Sequence, residues 1–265
     1  MGASKIEWTE QTWNPVTGCT KVSAGCKHCY AERMALRLRA MAAPGYARGF
    51  ELTLHADRLD QPLRRKKPTV YFVGSVADLF HEEVPDAFVD RVLATIRQTP
   101  RHTDRLLTKR AERLADFFAS RPVPSNGGLG VTVEDRRHGL PRIEPLRRVP
   151  ARVRFLAVEP LLEDLGPLDL DGIDWVIIGG ESGPNARPMR PKWALSVRDR
   201  GMATGVAFLF KQWGAWGPDG VCRDQKANGR ILAGRVWDER PQIAGALLWR
   251  DGAAATVLLA RQRWL

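Results

Sequence analysis

Short runs of β-branched and apolar residues alternate along this chain with longer stretches whose apolar residues recur every three or four positions. The short runs are Val70–Ser75, Arg105–Thr108, Gly130–Glu134, Arg154–Glu159, Trp175–Gly180 and Ala207–Lys211. Their apolar residues are continuous rather than alternating, the pattern of strands covered on both faces of a parallel sheet. A further strand is expected around Thr12–Thr17. The helical stretches are Cys29–Met41, Pro85–Gln98, Glu112–Ser120 and Pro191–Arg200. The first places Ala31, Met34, Ala35 and Leu38 on one face, and the second opens with Pro85 and Asp86, a favourable helix start. Alternation at this spacing predicts right-handed βαβ units. The expected fold is therefore α/β: a full or partial (β/α) barrel of about six to seven units. No repeat or low-complexity linker interrupts residues 1–214. From residue 215 to 265 the rhythm is lost, and Asp219-Gly220, Asn228-Gly229 and Asp251-Gly252 mark turns between short β-prone pieces. A small C-terminal β-rich appendage is expected there.

The strand ends carry the polar residues. Ser75 and Asp78 follow the first run, and Thr108-Lys109-Arg110 the next. Glu134-Asp135, Glu159-Pro160, Gly180-Glu181 and Lys211-Gln212 close the later ones. In a βα barrel such positions converge on the C-terminal mouth and build a polar pocket. Cations at that mouth, Lys109, Arg110 and Lys211, suit carboxylate or phosphate groups.

Composition narrows the function classes. Of 265 residues, 44% are hydrophobic and 27% charged, enough for a full core and too apolar for a disordered chain. The formal charge of +11 favours a polyanionic partner, nucleic acid first, although 32 of the 41 basic residues are Arg and an arginine-rich composition gives the same number. The basic segments Arg64-Arg65-Lys66-Lys67 and Arg147, Arg148, Arg152, Arg154 fall at the barrel bottom, as backbone-binding patches or as solvated faces. The opening MGASKIEWTEQTW has no apolar core and no apolar run approaches about 18 residues, so neither a secretory leader nor a membrane span is expected. A cytoplasmic protein with reduced cysteines is the expectation.

Three of the four cysteines form Cys19-x6-Cys26-x2-Cys29, in the loop GCTKVSAGCKHCY that runs into a helix. Thiolates at this spacing can close around one metal centre. Three ligands with a fourth position open suit a 4Fe–4S cluster with one unprotected iron. Zinc, completed by Cys222 or His28, is the rival, though a structural zinc ribbon has two close pairs and the second is missing here. A redox Cys26-x2-Cys29 pair is a third reading that leaves Cys19 without a role.

A three-cysteine loop after a first strand, opening a helix of a βα barrel, resembles the radical S-adenosylmethionine enzymes. Their standard spacing is C-x3-C-x2-C, so the first gap here is longer. The chain is similar in more detail to a phage- and bacterium-borne family of uncharacterised radical-SAM-like three-cysteine proteins. The similarity rests on IEWTEQTWNPVTGCTKVSAGCKHCYAE, SVADLFHEEVP, LLTKRAERL, GVTVED, FLAVEPLL, IDWVIIGGESGPNARPM and FLFKQWG, running from Ile6 to Gly214.

The resemblance implies that Cys19, Cys26 and Cys29 hold a 4Fe–4S cluster whose open iron binds S-adenosylmethionine. Electrons would come from a donor such as flavodoxin or ferredoxin. It implies that His28, before the last cysteine, packs near the adenine. Gly179-Gly180-Glu181 matches a triplet that holds the methionine ammonium, with Ser75 and Asp78 as the alternative partners. Glu134 and Glu159 are candidates for ribose or methionine contacts, and Glu181, Lys109 and Lys211 for catalytic contacts with substrate. His81 adjoins this group by chain position, and Asn185 and Arg187 follow Glu181 on its loop. The leading expectation is an enzyme generating a 5′-deoxyadenosyl radical to modify or repair a nucleic-acid base or nucleotide. A non-catalytic iron–sulfur or zinc protein that binds DNA or RNA is the alternative, and an enzyme of the same fold acting on a peptide or small metabolite is a third.

Overall fold

The computed structural model describes residues 2–4 and 6–241. The apolar runs become the strands β1 (Gly2–Ala3), β2 (Gln11–Trp13), β3 (Val16–Thr17), β4 (Thr53–Leu54), β5 (Val70–Val73), β6 (Thr103–Thr108), β7 (Gly127–Thr132), β8 (Val153–Val158), β9 (Trp175–Gly179) and β10 (Ala207–Gln212). Every residue of β7 and β9 is buried, as strands packed on both faces must be. The helices are α1 (Tyr30–Ala40), α2 (Asp86–Gln98), α3 (Ala111–Phe118), α4 (Ile143–Arg148), α5 (Pro191–Thr204) and α6 (Gln225–Asn228).

The sheet order is β1-β2-β5-β6-β7-β8-β9-β10, parallel from β2 to β10, with β1 antiparallel on the edge. Seven parallel strands curl into a half-barrel, the partial form of the expected fold. Helices α1, α2, α3 and α4 join successive parallel strands from β2 to β8, and α5 joins β9 to β10. Residues 159–174 cross from β8 to β9 without a helix, where Pro160, Gly166, Pro167 and Gly172 interrupt the chain.

The strand expected over Thr12–Thr17 is divided. Pro15 has no N–H to donate, so the ladder stops at Trp13, and β3 turns aside to pair antiparallel with β4. Conversely, β7 begins three residues earlier than the sequence pattern suggests, at Gly127. These glycines have a packing role: a Cβ on Gly130 would fall inside the Phe155 ring on the neighbouring strand. Gly130→Ala is expected to destabilise the fold by about 1–3 kcal/mol, the cost of overpacking a core. An unchanged urea midpoint would show that Phe155 can move aside.

The two faces of the sheet have separate cores. Tyr71, Val73, Leu106, Leu129, Val131, Leu156, Val176 and Phe210 pack against the helices. Trp8, Phe72, Phe155, Trp175, Ile177 and Leu209 fill the other face, the inside of the curl. Arg105 lies among them, its guanidinium 4.5 Å from the centre of the Trp175 ring and donating to Trp8 O.

After β10 the chain lies along that strand's edge through a bridge between Leu209 and Asp238, with Trp237 packed on Phe208 at 5.7 Å between ring centres. Residues 215–241 contain α6 and isolated bridges. The remainder of the segment expected to be a β-rich appendage, including Asp251-Gly252, lies outside the described residues. No helix among the described residues is long and apolar enough to cross a membrane.

Candidate active site

A cavity of about 390 Å³ opens at the C-terminal ends of the parallel strands, inside the curl. Its floor is apolar, with Trp8, Phe72, Leu107 and Ala157. Cys19, Cys26, His28 and Cys29 line it from the loop after β3, and Ser75, Asp78, Lys109, Arg110, Glu159, Gly180, Glu181, Lys211 and Gln212 from the strand ends. Residues scattered over nearly two hundred positions thus meet in one place, as the convergence of strand ends requires.

The cysteine loop is fixed at both ends. Gly18 takes φ +84, and a Cβ there would collide with Glu51 O, so the turn into Cys19 needs glycine. Cys19 N–H donates to Phe50 O at 3.3 Å. Cys26 closes a short 3-10 turn, Ala24–Cys26, and Cys29 is the N-cap of α1. Just before that turn, Ser23 Oγ donates to Glu134 Oε1, and Glu134 Oε2 is paired with Arg142 Nη1 at 2.6 Å, with Glu134 fully buried.

On the Cys19 side the anchor is Arg110. It donates to Asp78 Oδ2 at 3.2 Å, Glu82 Oε2 at 2.8 Å, Thr20 Oγ1 at 2.8 Å and the Cys19 sulfur at 3.5 Å. His81 Nδ1 accepts from Glu83 N–H at 3.1 Å, so in the neutral ring the proton is on Nε2, which reaches Thr20 Oγ1 at 2.8 Å. Burial and the Arg110 charge hold the His81 pKa below its ordinary value, favouring that neutral form. His81 therefore steadies the loop from behind and does not line the cavity.

The thiols differ electrostatically. Burial, with the Asp78 carboxylate behind it, pushes Cys19 up to about 11. Burial also acts to raise Cys26, but the Lys109 ammonium, backbone N–H groups and the Ser23 hydroxyl outweigh it and hold that thiol below its ordinary value. Lys109 Nζ otherwise donates to Thr132 Oγ1 at 3.4 Å.

The carboxylates at the mouth are paired. Glu159 holds Lys211 Nζ at 2.7 and 2.9 Å, and Gln212 Nε2 at 3.2 Å. Glu181 takes Arg187 Nη2 at 2.5 Å, its Nε at 2.9 Å and its N–H at 2.8 Å. Burial acts to raise the Glu181 pKa, yet these donors hold it low, so Glu181 is an oriented anion. Asp78 accepts from Phe80 N–H, Thr108 Oγ1, Lys109 N–H and Arg110, four donors from within the protein. Ser75 Oγ donates to Asn14 Oδ1 at 3.1 Å.

Two expected cofactor contacts stand behind the cavity wall. Glu134 supports the cysteine loop through Ser23, as above. Gly179 leaves room for Glu159, whose carboxyl would sit 3.0 Å from a Cβ there. Gly180 does line the cavity and passes so close to Trp213 O that no side chain fits. Cys222 lies on an exposed turn paired with Trp216 and does not line the cavity. The Arg147–Arg154 cluster is engaged internally: Arg147 pairs with Asp169 at 2.8 Å, Arg148 with Glu112, and Arg154 donates to Val149 O. Trp8 and Thr132 also line the cavity, and neither stands out in the sequence, whereas Gln212 does so as the polar residue beside Lys211 at a strand end.

The donor set suits a thiolate-bound centre: three free thiols, none in a disulfide, line one wall of one cavity. Among the described residues no three Cys, His, Asp or Glu side chains are gathered closely enough to hold an ion as they stand.

A family model described as "Protein of unknown function (DUF5131)" matches residues 3–241. No curated protein matches the sequence. Among solved structures, a cysteine-to-serine mutant of spore photoproduct lyase is similar at 14% identity, TM-score 0.44, over 67% of this chain and 57% of that one. Spore photoproduct lyase complexed with dinucleoside spore photoproduct is similar at 13% identity, TM-score 0.45, over 75% and 62%. The chain thus spans about six tenths of the length of these structures.

Proposed function

We propose that this chain, which belongs to the DUF5131 family of proteins of unknown function, is a radical S-adenosylmethionine enzyme acting on a nucleic-acid base or nucleotide. Cys19, Cys26 and Cys29 would hold an open-site 4Fe–4S cluster, and the cavity would take S-adenosylmethionine and substrate. The observation that carries this reading is that three free thiols line one cavity together with the polar strand ends. A binding module needs no such pocket. The net charge of +11 supports a polyanionic partner.

Held by Cys19, Cys26 and Cys29, such a cluster would supply one-electron reductive chemistry to a bound S-adenosylmethionine. The chain's own residues orient and enclose. Lys109 favours the thiolate of Cys26, which ligation requires. Arg110 and the Ser23–Glu134–Arg142 chain fix the two sides of the loop. Ionised Glu181, set by Arg187, is oriented to meet a cationic group such as an ammonium. His28 and Ser75 line the same wall and can contact the cofactor. The floor of Trp8, Phe72, Leu107 and Ala157 keeps water from the reacting centre.

Anaerobic purification with iron, sulfide and zinc analysis tests the reading, followed by spectra of the reduced protein with and without S-adenosylmethionine. The expected result is about four irons per chain and a spectrum that changes on adding the cofactor. One zinc and no iron would replace the radical mechanism with a zinc-stabilised nucleic-acid-binding protein.

A further inference from the structure

Lys211 and Gln212 are consecutive, yet both face the cavity. In an unbroken strand they would point to opposite faces. The register between β10 and β9 shifts there: Phe210 pairs with Ile178 and Gln212 with Gly179, so Lys211 is extra. Such bulges re-aim side chains beside functional sites. The result is a Gln212 that is 4% exposed, with Nε2 donating to Glu159 Oε1 at 3.2 Å and Gly180 O at 2.9 Å. Both partners are acceptors, so the amide cannot be turned around, and Oε1 is the atom left without a hydrogen-bond partner among the described residues. Trp8, 3% exposed on the floor of the same cavity, has an Nε1–H equally without one. Buried polar atoms are nearly always paired, because an orphaned one forfeits its hydration without a compensating bond.

We propose that Gln212 is a specificity residue of this cavity, its Oε1 accepting an N–H from the edge of a nucleobase while Trp8 Nε1–H donates to an acceptor of the same ligand. A neutral amide oxygen suits a neutral N–H. The nearest charges, Lys211 and Glu159, already neutralise each other. The apolar floor suits a flat ring, and a nucleobase carries an N–H donor and an acceptor on one rigid frame. This rests on reading the cavity as the active site and names what that site takes. The base can be that of the substrate or the adenine of S-adenosylmethionine, which present the same chemistry.

Isothermal titration calorimetry on the purified full chain distinguishes these sources, with uridine, N3-methyluridine and S-adenosylmethionine as probes. If the base is the substrate's, the native protein is expected to bind uridine at least about tenfold more tightly than N3-methyluridine, which lacks the donor. Gln212→Met should abolish that preference. If the base is the cofactor's, S-adenosylmethionine affinity should fall by a similar factor in Gln212→Met, with no discrimination between the uridines. The native protein's comparison of the two uridines stands even should the variant fold poorly. No preference between uridines, together with unchanged cofactor affinity in the variant, overturns the proposal. Because uridine binding needs no iron, a protein that discriminates but loads no cluster would remove the radical reading and keep this one.

Discussion

Cys26→Ala is expected to leave the purified protein without iron while its thermal unfolding stays close to that of the native chain. The sulfur of Cys26 is prepared for ligation, because the Lys109 ammonium beside it favours the thiolate. Losing one of three ligands leaves too few to retain a cluster, so iron should fall from about four per chain to near zero. The fold should survive because other atoms hold the loop. Cys26 N–H bonds Ser23 O at 3.0 Å through the backbone, and the Ser23–Glu134 and Glu134–Arg142 bonds persist without the sulfur, which only approaches Ser23 Oγ at 3.8 Å. Cys222→Ser, on the exposed turn, is the matching control and should load normally. Unchanged iron in Cys26→Ala would remove the chemical argument. Iron lost equally in Cys222→Ser would move the site elsewhere.

The second large effect concerns stability rather than chemistry. Asp104, the second residue of β6, lies on its helix-facing side and is fully buried, with Asn126 Nδ2 at 3.4 Å as its hydrogen-bonding neighbour. Its Oδ1, Tyr71 Oη and His102 Nδ1 have no hydrogen-bond partners among the described residues, and the Tyr71 and His102 rings meet edge-on at 5.1 Å. Burial pushes the Asp104 carboxyl up to about 8 from its usual 3.8. The folded state therefore keeps a proton that the unfolded chain gives up. That contribution is fully present below about pH 4, is lost progressively as pH rises to about 8, and is absent above. A shift of this size corresponds to on the order of 5 kcal/mol. Asp104→Asn, which cannot ionise, should match the native protein at low pH and exceed it by several kcal/mol at pH 8.5. Urea unfolding of both proteins across that range is the measurement. Parallel pH profiles would mean that Asp104 is ionised in the fold and paired.

These two residues also show where sequence reading stops. Cys26 announces itself through its spacing to Cys19 and Cys29. Asp104, preceding an apolar run, looks like an ordinary polar strand start, and only the packing of α2 and Asn126 over it makes it a buried acid. Pro15 and Gly130 lie between these cases. The proline could have been read as the end of β2, whereas Gly130 needed the position of Phe155 on the next strand to be understood.

The sequence alone determined the alternation of strand and helix, a (β/α) barrel that is full or partial, and the set of polar residues at the strand ends, while the structure made it the half-barrel. Those properties follow from local periodicity and from the rule that parallel strands end together. Tertiary structure decided which polar residues are committed to one another. Asp78 is closed by Arg110 and Lys109, Glu134 by Arg142 and Ser23, and Glu159 by Lys211. Those partners lie from 8 to 111 positions apart, and their meeting depends on strand register and on one bulge at Lys211. A single-residue shift in register turns a side chain to the opposite face. No local pattern encodes that choice, which is why the orientation of Gln212 and its unpartnered Oε1 emerged only from the folded arrangement.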